Sequence, residues 1–122
     1  MPSRWQPVPQ PVPLKACVYV IYLDGKLAYI GQTSDLCHRL AVHKGPKSPW
    51  RGKNFSMKVS FNRRYGEHAM RELRLIAKLN PPHNKVQRSG TFHKPWVPGD
   101  YERKWDQMWN DTLSYDDELE AA

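Results

Sequence analysis

The sequence predicts a small α+β fold in which helices flank an antiparallel, three-stranded sheet. Three observations carry this prediction: a hairpin pattern over residues 17–30, a strictly alternating run over 55–61, and helical patterns over about 36–43 and 66–79. An apolar period of two indicates a strand, whereas apolar residues three and four apart indicate a helix. At 122 residues the chain has the length of one domain.

The first strand is expected to lie in the centre of the sheet. Both of its faces are apolar, with Val18, Val20 and Tyr22 on one face and Tyr19, Ile21 and Leu23 on the other. A strand of this composition is covered on both sides. The chain then turns at Asp24-Gly25, a typical hairpin signal, and returns over residues 27–30.

The register of this hairpin decides whether Tyr19 and Tyr29 share a face. A two-residue loop at Asp24-Gly25 places Tyr19 opposite Ile30, so the two phenols point to opposite faces. A three-residue loop beginning at Leu23 places Tyr19 directly opposite Tyr29. We predict the three-residue loop, because two phenols brought together make a site.

A helix is predicted from about residue 36 to residue 43. On it, Arg39 and His43 stand one turn apart and can contact the same anion, although a solvated surface pair is the simpler alternative. Thr33 or Ser34 is expected to cap the helix, with Asp35 in its first turn.

The loop over residues 44–54 is rich in Gly, Pro and Lys and carries Trp50 among cations. Trp50 either stacks on a nucleic acid or covers the edge of the core, and the sequence does not separate these alternatives. The strand over residues 55–61 follows, with alternate side chains inward. The cations that we expect to contact DNA phosphates are Lys44, Lys47, Arg51, Lys53, Arg63 and Arg64.

The second helix, over about residues 66–79, is stopped by Asn80-Pro81-Pro82. Glu72 lies beside the apolar stripe, where a carboxylate is costly unless a cation or hydrogen bonds compensate it. A salt bridge to Arg71 or Arg74 and a metal ion are equally good explanations. Glu67 is expected at the exposed start, where the helix dipole accounts for it. The predicted stripe consists of Ala69, Leu73, Ile76 and Leu79.

The net charge of +7 is unevenly distributed. Residues 39–104 carry sixteen Lys or Arg against four acids, whereas residues 106–122 carry six acids and no cation. A basic body suits a polyanion such as DNA, although it also suits a protein that is merely well solvated.

Three segments are expected. Residues 1–15 hold five prolines and form an extended arm over the surface. Residues 16–84 form the core. Residues 85–122 form a loop, a last helix at about 101–113 and an acidic tail, packed on the core.

The two cysteines, Cys17 and Cys37, form no CxxC pair, and no signal peptide is recognisable. This predicts free thiols in a reducing cytoplasm. No run approaches the roughly 18 apolar residues of a membrane span, so no membrane association is expected.

Two short strands, Cys17-Val18-Tyr19 and Tyr29-Ile30-Gly31, carry a resemblance to the GIY-YIG nuclease family. The resemblance extends over residues 17–84, because Arg39 follows at the family's spacing, Glu72 begins a Glu-x-x-Leu-Ile motif, and Asn84 ends a segment like the family's Pro-x-x-Asn. Two positions depart from the pattern. Cys17 replaces the usual Gly, and Gln32 stands where many relatives have Lys.

The resemblance implies a metal-dependent DNA endonuclease of bacterial or phage-infected cells. Glu72 would hold one Mg²⁺ or Mn²⁺, Arg39 would grip the phosphate, and Tyr19 or Tyr29 would act as general base. His43 would orient the phosphate or relay the proton. Asn84 would fix the geometry of a tyrosine or of the metal's ligands.

Two other function classes compete with the nuclease. The first is a non-catalytic or partner-dependent DNA-binding module of the same fold. The second is a zinc-binding adaptor, although the cysteines and histidines follow no known zinc spacing. DNA is the expected partner, with branched and nicked DNA among the alternatives, and a protein partner or a homodimer is the alternative to a chain that acts alone. The residues considered for zinc are Cys17, Cys37, His38, His43 and His68.

Overall fold

A computed structural model describes residues 4–63, 66–84, 107, 110 and 111, and in this part the chain forms a four-stranded antiparallel sheet with two helices. The α+β class is therefore confirmed. The strands run in the order β1-β4-β2-β3 across the sheet. The elements are β1 Gln6–Pro7, β2 Cys17–Leu23, β3 Lys26–Thr33, α1 Leu36–Lys44, β4 Phe55–Phe61 and α2 Glu67–Leu79.

β2 lies between β3 and β4 and is buried on both faces, as its apolar composition predicts. On one face, Val18 belongs to a cluster that includes Leu75 of α2, which we call the α2-side cluster. On the other face, Ile21 belongs to a cluster that includes Leu36 of α1, which we call the α1-side cluster. The two helices therefore cover opposite faces of the sheet.

The strand count differs from the prediction of three, because the proline-rich arm supplies β1. Gln6 and Pro7 pair with Val59 and Lys58 of β4 at the edge of the sheet. An edge position tolerates Pro7, since its missing N–H need not face a neighbouring strand. The preceding Trp5 is buried in the α2-side cluster, so the arm contributes to the core and does not only cover the surface.

The loop between β2 and β3 also differs from the prediction. Leu23 pairs with Lys26, so the connection is the two-residue loop Asp24-Gly25 and not the three-residue loop. Both loop residues have positive φ, 51° at Asp24 and 79° at Gly25, as a type I′ turn requires.

A β-bulge brings the two tyrosines to one face all the same. The register shifts between Ile21 and Tyr22, so that Ile21 pairs with Tyr29 and Tyr19 pairs with Gly31. Tyr19 and Tyr29 are therefore diagonal neighbours and do not lie directly opposite each other.

Helix α1 begins at Leu36, and its N-cap is Asp35, not Thr33 or Ser34 as predicted. The Asp35 carboxylate accepts a hydrogen bond from the backbone N–H of His38 at 3.1 Å. Thr33 supports the cap, because its hydroxyl accepts from the Asp35 N–H at 2.9 Å.

Helix α2 has the predicted bounds to within one residue, but a different face is buried. Its ends are set by positive φ at Gly66 and Asn80. Of the predicted stripe, Ala69 is exposed and Leu73 is half-buried. The buried side chains are Glu67, Met70, Arg71, Arg74, Leu75, Ile76 and Ala77.

The prediction that Glu67 is exposed is wrong, because its side chain is 1% exposed. It forms an ion pair with Arg4 of the arm and lies 3.7 Å from the Arg71 guanidinium. Arg4 also donates to the Phe61 carbonyl at 2.7 Å, and Arg71 donates to the Ser60 hydroxyl at 2.7 Å. This buried network fixes the arm to α2 and β4.

The predicted C-terminal elements lie largely outside the described residues. Gln107, Asn110 and Asp111 are helical, within the predicted helix at 101–113. The packing of residues 85–122 on the core and the acidic tail lie outside the described part. Within the described ranges, the helices are too short and too polar to cross a membrane.

Candidate active site

The outer edge of β3 is bordered by the segment that follows α2. The His83 N–H donates to the Ala28 carbonyl at 3.0 Å. Two residues further along β3, the Asn84 amide accepts from the Ile30 N–H at 2.9 Å and donates to the Ile30 carbonyl at 2.8 Å. Asn84 is thus a positioning residue that holds the strand beside Tyr29, and its hydrogen bonds go to backbone, not to a reacting group.

Glu72 of α2 lies at the same edge of the sheet, beside Gln32 of β3. The Gln32 N–H donates a hydrogen bond to the Glu72 carboxylate. Burial raises the pKa of Glu72 to about 7, even though this hydrogen bond and the Arg39 charge act to lower it. Arg71, one of the neighbours considered for a salt bridge, pairs with Glu67 instead. Burial outweighs the Gln32 hydrogen bond and the Arg39 charge, so the Glu72 carboxylate is only partly compensated.

The two tyrosines of the hairpin differ in their surroundings. Their ring centroids lie 6.2 Å apart, with Tyr19 buried and Tyr29 half-buried. Burial raises the pKa of Tyr19 above its ordinary value, and the neighbouring Tyr29, through its charge and a hydrogen bond between the two side chains, raises it further. Tyr19 therefore keeps its proton, and Tyr29 is the phenol that reaches the solvent.

The His43 imidazole lies beside both tyrosine rings. Its Nε2 is 2.9 Å from the Tyr19 hydroxyl, and its Nδ1 accepts from the indole N–H of Trp50 at 3.0 Å. Burial lowers the pKa of His43, and the nearby Arg39 lowers it further. His43 is therefore neutral at neutral pH.

Trp50 covers the core and is not available for stacking on DNA, because it is 2% exposed. It belongs to the α1-side cluster, and its ring packs edge-on against His83 at 5.3 Å between centroids. Of the two alternatives for Trp50, the structure selects the core.

Arg39 supplies the charge of the site. It is exposed on α1, and its charge lowers the pKa values of Tyr19, His43 and Glu72. The edge of β3 and the helices α1 and α2 thus place these side chains near one another. The predicted catalytic side chains that the fold brings together are Tyr19, Tyr29, Arg39, His43 and Glu72.

The predicted DNA-binding cations are spread over several surfaces. Lys47 lines a cleft of about 350 Å³ with Tyr29, His43 and Trp50. Arg51 and Lys53 are exposed in the same loop, whereas Lys44 and Arg63 each line a different cleft. Arg64 lies outside the described residues.

The described residues offer no three-ligand metal centre of His, Cys, Asp and Glu. Cys17 is buried, and burial raises the pKa of its thiol to about 12, while Cys37 is exposed. The zinc adaptor therefore has no site in the described part of the chain. A single carboxylate such as Glu72 suits Mg²⁺, which keeps most of its ligands as water and phosphate.

Gly31 is required by the position of the Tyr19 ring. A methyl group on residue 31 would overlap the ring and hydroxyl of Tyr19. Gly31→Ala is expected to cost about 1–3 kcal/mol of unfolding free energy, because the ring must leave its place in the core. Urea denaturation measures this loss.

The double variant Tyr19→Ala/Gly31→Ala is the control for this prediction. With the ring removed, the additional cost of Gly31→Ala should fall below about 0.5 kcal/mol. An equal cost in both backgrounds would show that the Tyr19 ring is not the cause.

Two contributors to the site are not recognisable from the sequence. Gln32 acts through its backbone N–H, so its side-chain type carries no signal. Trp50 acts through its indole N–H on His43, seven residues away. The surrounding prolines and lysines indicate only a loop.

No family model matches the chain, and no curated protein or solved structure does so either.

Proposed function

We propose that the chain is a metal-dependent DNA endonuclease with Tyr29 as general base and Glu72 as the metal ligand. The observation that supports this most is the clustering of two phenols, an imidazole, a guanidinium and a partly compensated carboxylate. The rings of Tyr29 and His43 are 5.7 Å apart, and those of Tyr19 and His43 are 5.3 Å apart. Together these groups can supply the three functions that phosphodiester hydrolysis uses: a general base, positive charge at the phosphate and a metal ligand.

Tyr29 is the better general base of the two tyrosines. Its phenol is partly exposed, so it can accept a proton from water, whereas the Tyr19 hydroxyl is buried. The Tyr19 hydroxyl shares a hydrogen bond with Tyr29, and a hydroxyl that donates to a phenolate oxygen stabilises its negative charge.

Arg39 is the residue that would bind the phosphate. Its exposed guanidinium can form two parallel hydrogen bonds to non-bridging oxygens, a geometry that lysine cannot offer. Lys47 adds positive charge on the other side of Tyr29. The scissile phosphate would therefore lie between Tyr29 and Arg39.

The reaction would consume one water molecule. Tyr29, acting as a phenolate, takes a proton from the water, the water oxygen bonds to phosphorus, and the bond to the 3′ oxygen breaks. The leaving 3′ oxygen takes a proton from solvent water, which leaves a 5′ phosphate and a 3′ hydroxyl. A divalent cation bound at Glu72 would stabilise the charge that develops on the phosphate and the leaving oxygen.

Three Tyr→Phe variants of the hairpin test this assignment on plasmid and branched DNA with Mg²⁺ or Mn²⁺. Tyr29→Phe is expected to lower the cleavage rate about 100- to 10,000-fold, because it removes the base. Tyr19→Phe should lower it about tenfold, through the loss of one hydrogen bond. Tyr22→Phe is the matched control, since Tyr22 packs in the α2-side cluster, and its activity should equal that of the wild type.

The alternative is a DNA-binding module of the same fold, cytoplasmic like the nuclease. This alternative would replace the nuclease if the wild type binds these DNAs but cuts none of them with Mg²⁺ or Mn²⁺. The test includes protein concentrations high enough for a homodimer to form. Equal activity of Tyr29→Phe and the wild type would reject Tyr29 as the base.

A further inference from the structure

We infer that Trp50 is a positioning residue for the reaction: its indole N–H fixes the tautomer of His43, and through it the hydrogen-bond direction at Tyr19 and Tyr29. This inference rests on the proposed function. It assigns a role in catalysis to the basic loop that follows α1.

The contact with Trp50 determines which ring nitrogen of His43 carries the proton. An indole nitrogen is only a donor, so the 3.0 Å contact from Trp50 Nε1 requires a lone pair on His43 Nδ1. In a neutral imidazole the proton must then lie on Nε2. Burial keeps His43 neutral by lowering its pKa, so this tautomer is the one present near neutral pH.

The hydrogen bonds continue from His43 toward the solvent. With the proton on Nε2, His43 donates to the Tyr19 oxygen at 2.9 Å. With its oxygen accepting from His43, the Tyr19 hydroxyl directs its own proton to Tyr29, which shares a hydrogen bond with it. The chain Trp50, His43, Tyr19, Tyr29 thus runs in one direction and ends on the phenol that faces the solvent.

The opposite tautomer would break this chain. A proton on Nδ1 would face the indole N–H, and Nε2 would accept from Tyr19. Tyr19 would then have no proton for Tyr29, and the phenolate of Tyr29 would lose a stabilising donor. Trp50 prevents this arrangement, because its buried indole N–H occupies the donor position at His43 Nδ1.

Trp50→Phe tests the inference, because it keeps an aromatic ring and removes the N–H. In the wild type, ¹⁵N NMR of His43 should show the proton on Nε2, and in Trp50→Phe the two nitrogens should show a mixture of tautomers. The rate constant of cleavage, kcat, should fall about three- to tenfold with little change in KM.

Trp5→Phe is the matched control, since Trp5 is a buried tryptophan of the other core cluster. It should lose stability to a similar degree without changing the His43 spectrum or kcat. In the background His43→Ala, Trp50→Phe should have no further effect on kcat, because Trp50 acts through His43.

Each result decides the question. A wild-type His43 with its proton on Nδ1, or an unchanged His43 spectrum in Trp50→Phe, would overturn the inference. The NMR result does not depend on cleavage, so a wild type that cuts no DNA would reject the proposed nuclease while the role of Trp50 in fixing His43 is still tested.

Discussion

Replacing Glu72 with glutamine is expected to abolish metal-dependent cleavage and, near pH 8, to stabilise the folded protein. Cleavage should fall at least about 100-fold, because glutamine cannot supply the negative charge that holds the metal. The unfolding free energy should rise by about 2 kcal/mol, because the variant no longer keeps a partly buried, partly compensated carboxylate ionised.

The pH dependence of this gain follows from the pKa of Glu72. The folded wild type holds the proton up to about pH 7, whereas the unfolded chain releases it near the ordinary value of 4.5. Because the folded state binds more protons in this interval, the wild type loses stability as the pH rises through it. The advantage of Glu72→Gln should be absent near pH 4, grow through the interval and be constant above about pH 7.

Urea denaturation of both proteins at several pH values measures the effect. Added Mg²⁺ should stabilise the wild type near pH 8 and leave Glu72→Gln unchanged, since only the wild type binds the ion. A variant that is less stable than the wild type near pH 8 would show that Glu72 has a structural partner, and the metal role would lose its support.

Glu67→Gln, the same substitution five residues earlier on α2, is expected to have the opposite effect on stability. It removes the Glu67 charge from beside the guanidinium groups of Arg4 and Arg71, whose side chains are 4% and 0% exposed. The loss should be about 3–5 kcal/mol of unfolding free energy, a large part of the stability of a small domain.

The two Glu→Gln variants control for each other, because both remove one negative charge from the same helix. Thermal and urea unfolding near pH 8 should place Glu67→Gln below the wild type and Glu72→Gln above it. Where Glu67→Gln still folds, cleavage per folded molecule should be close to that of the wild type. A neutral effect of Glu67→Gln would contradict the structural role of the network.

The sequence alone predicts the elements whose patterns are local. The two apolar faces of β2, the alternation of β4 and the prolines after α2 each lie within a few residues, and all three predictions agree with the structure.

The register of the hairpin could not be predicted, because it depends on a β-bulge. The bulge between Ile21 and Tyr22 adds one residue to the β3 side, where Ala28 has no partner in the register. The turn residues Asp24-Gly25 specify only the two-residue loop. The two tyrosines share a face through a different pairing from the predicted one.

Tertiary structure alone decided which charged residues are buried and what they contact. Arg4 and Glu67 are 63 residues apart in sequence, so neither local spacing nor helix position could pair them. The same holds for Trp5 in the core, for Asn84 on Ile30 and for Glu72 on the Gln32 backbone. Local patterns determine which elements form, whereas the partners of buried polar groups depend on which elements pack together.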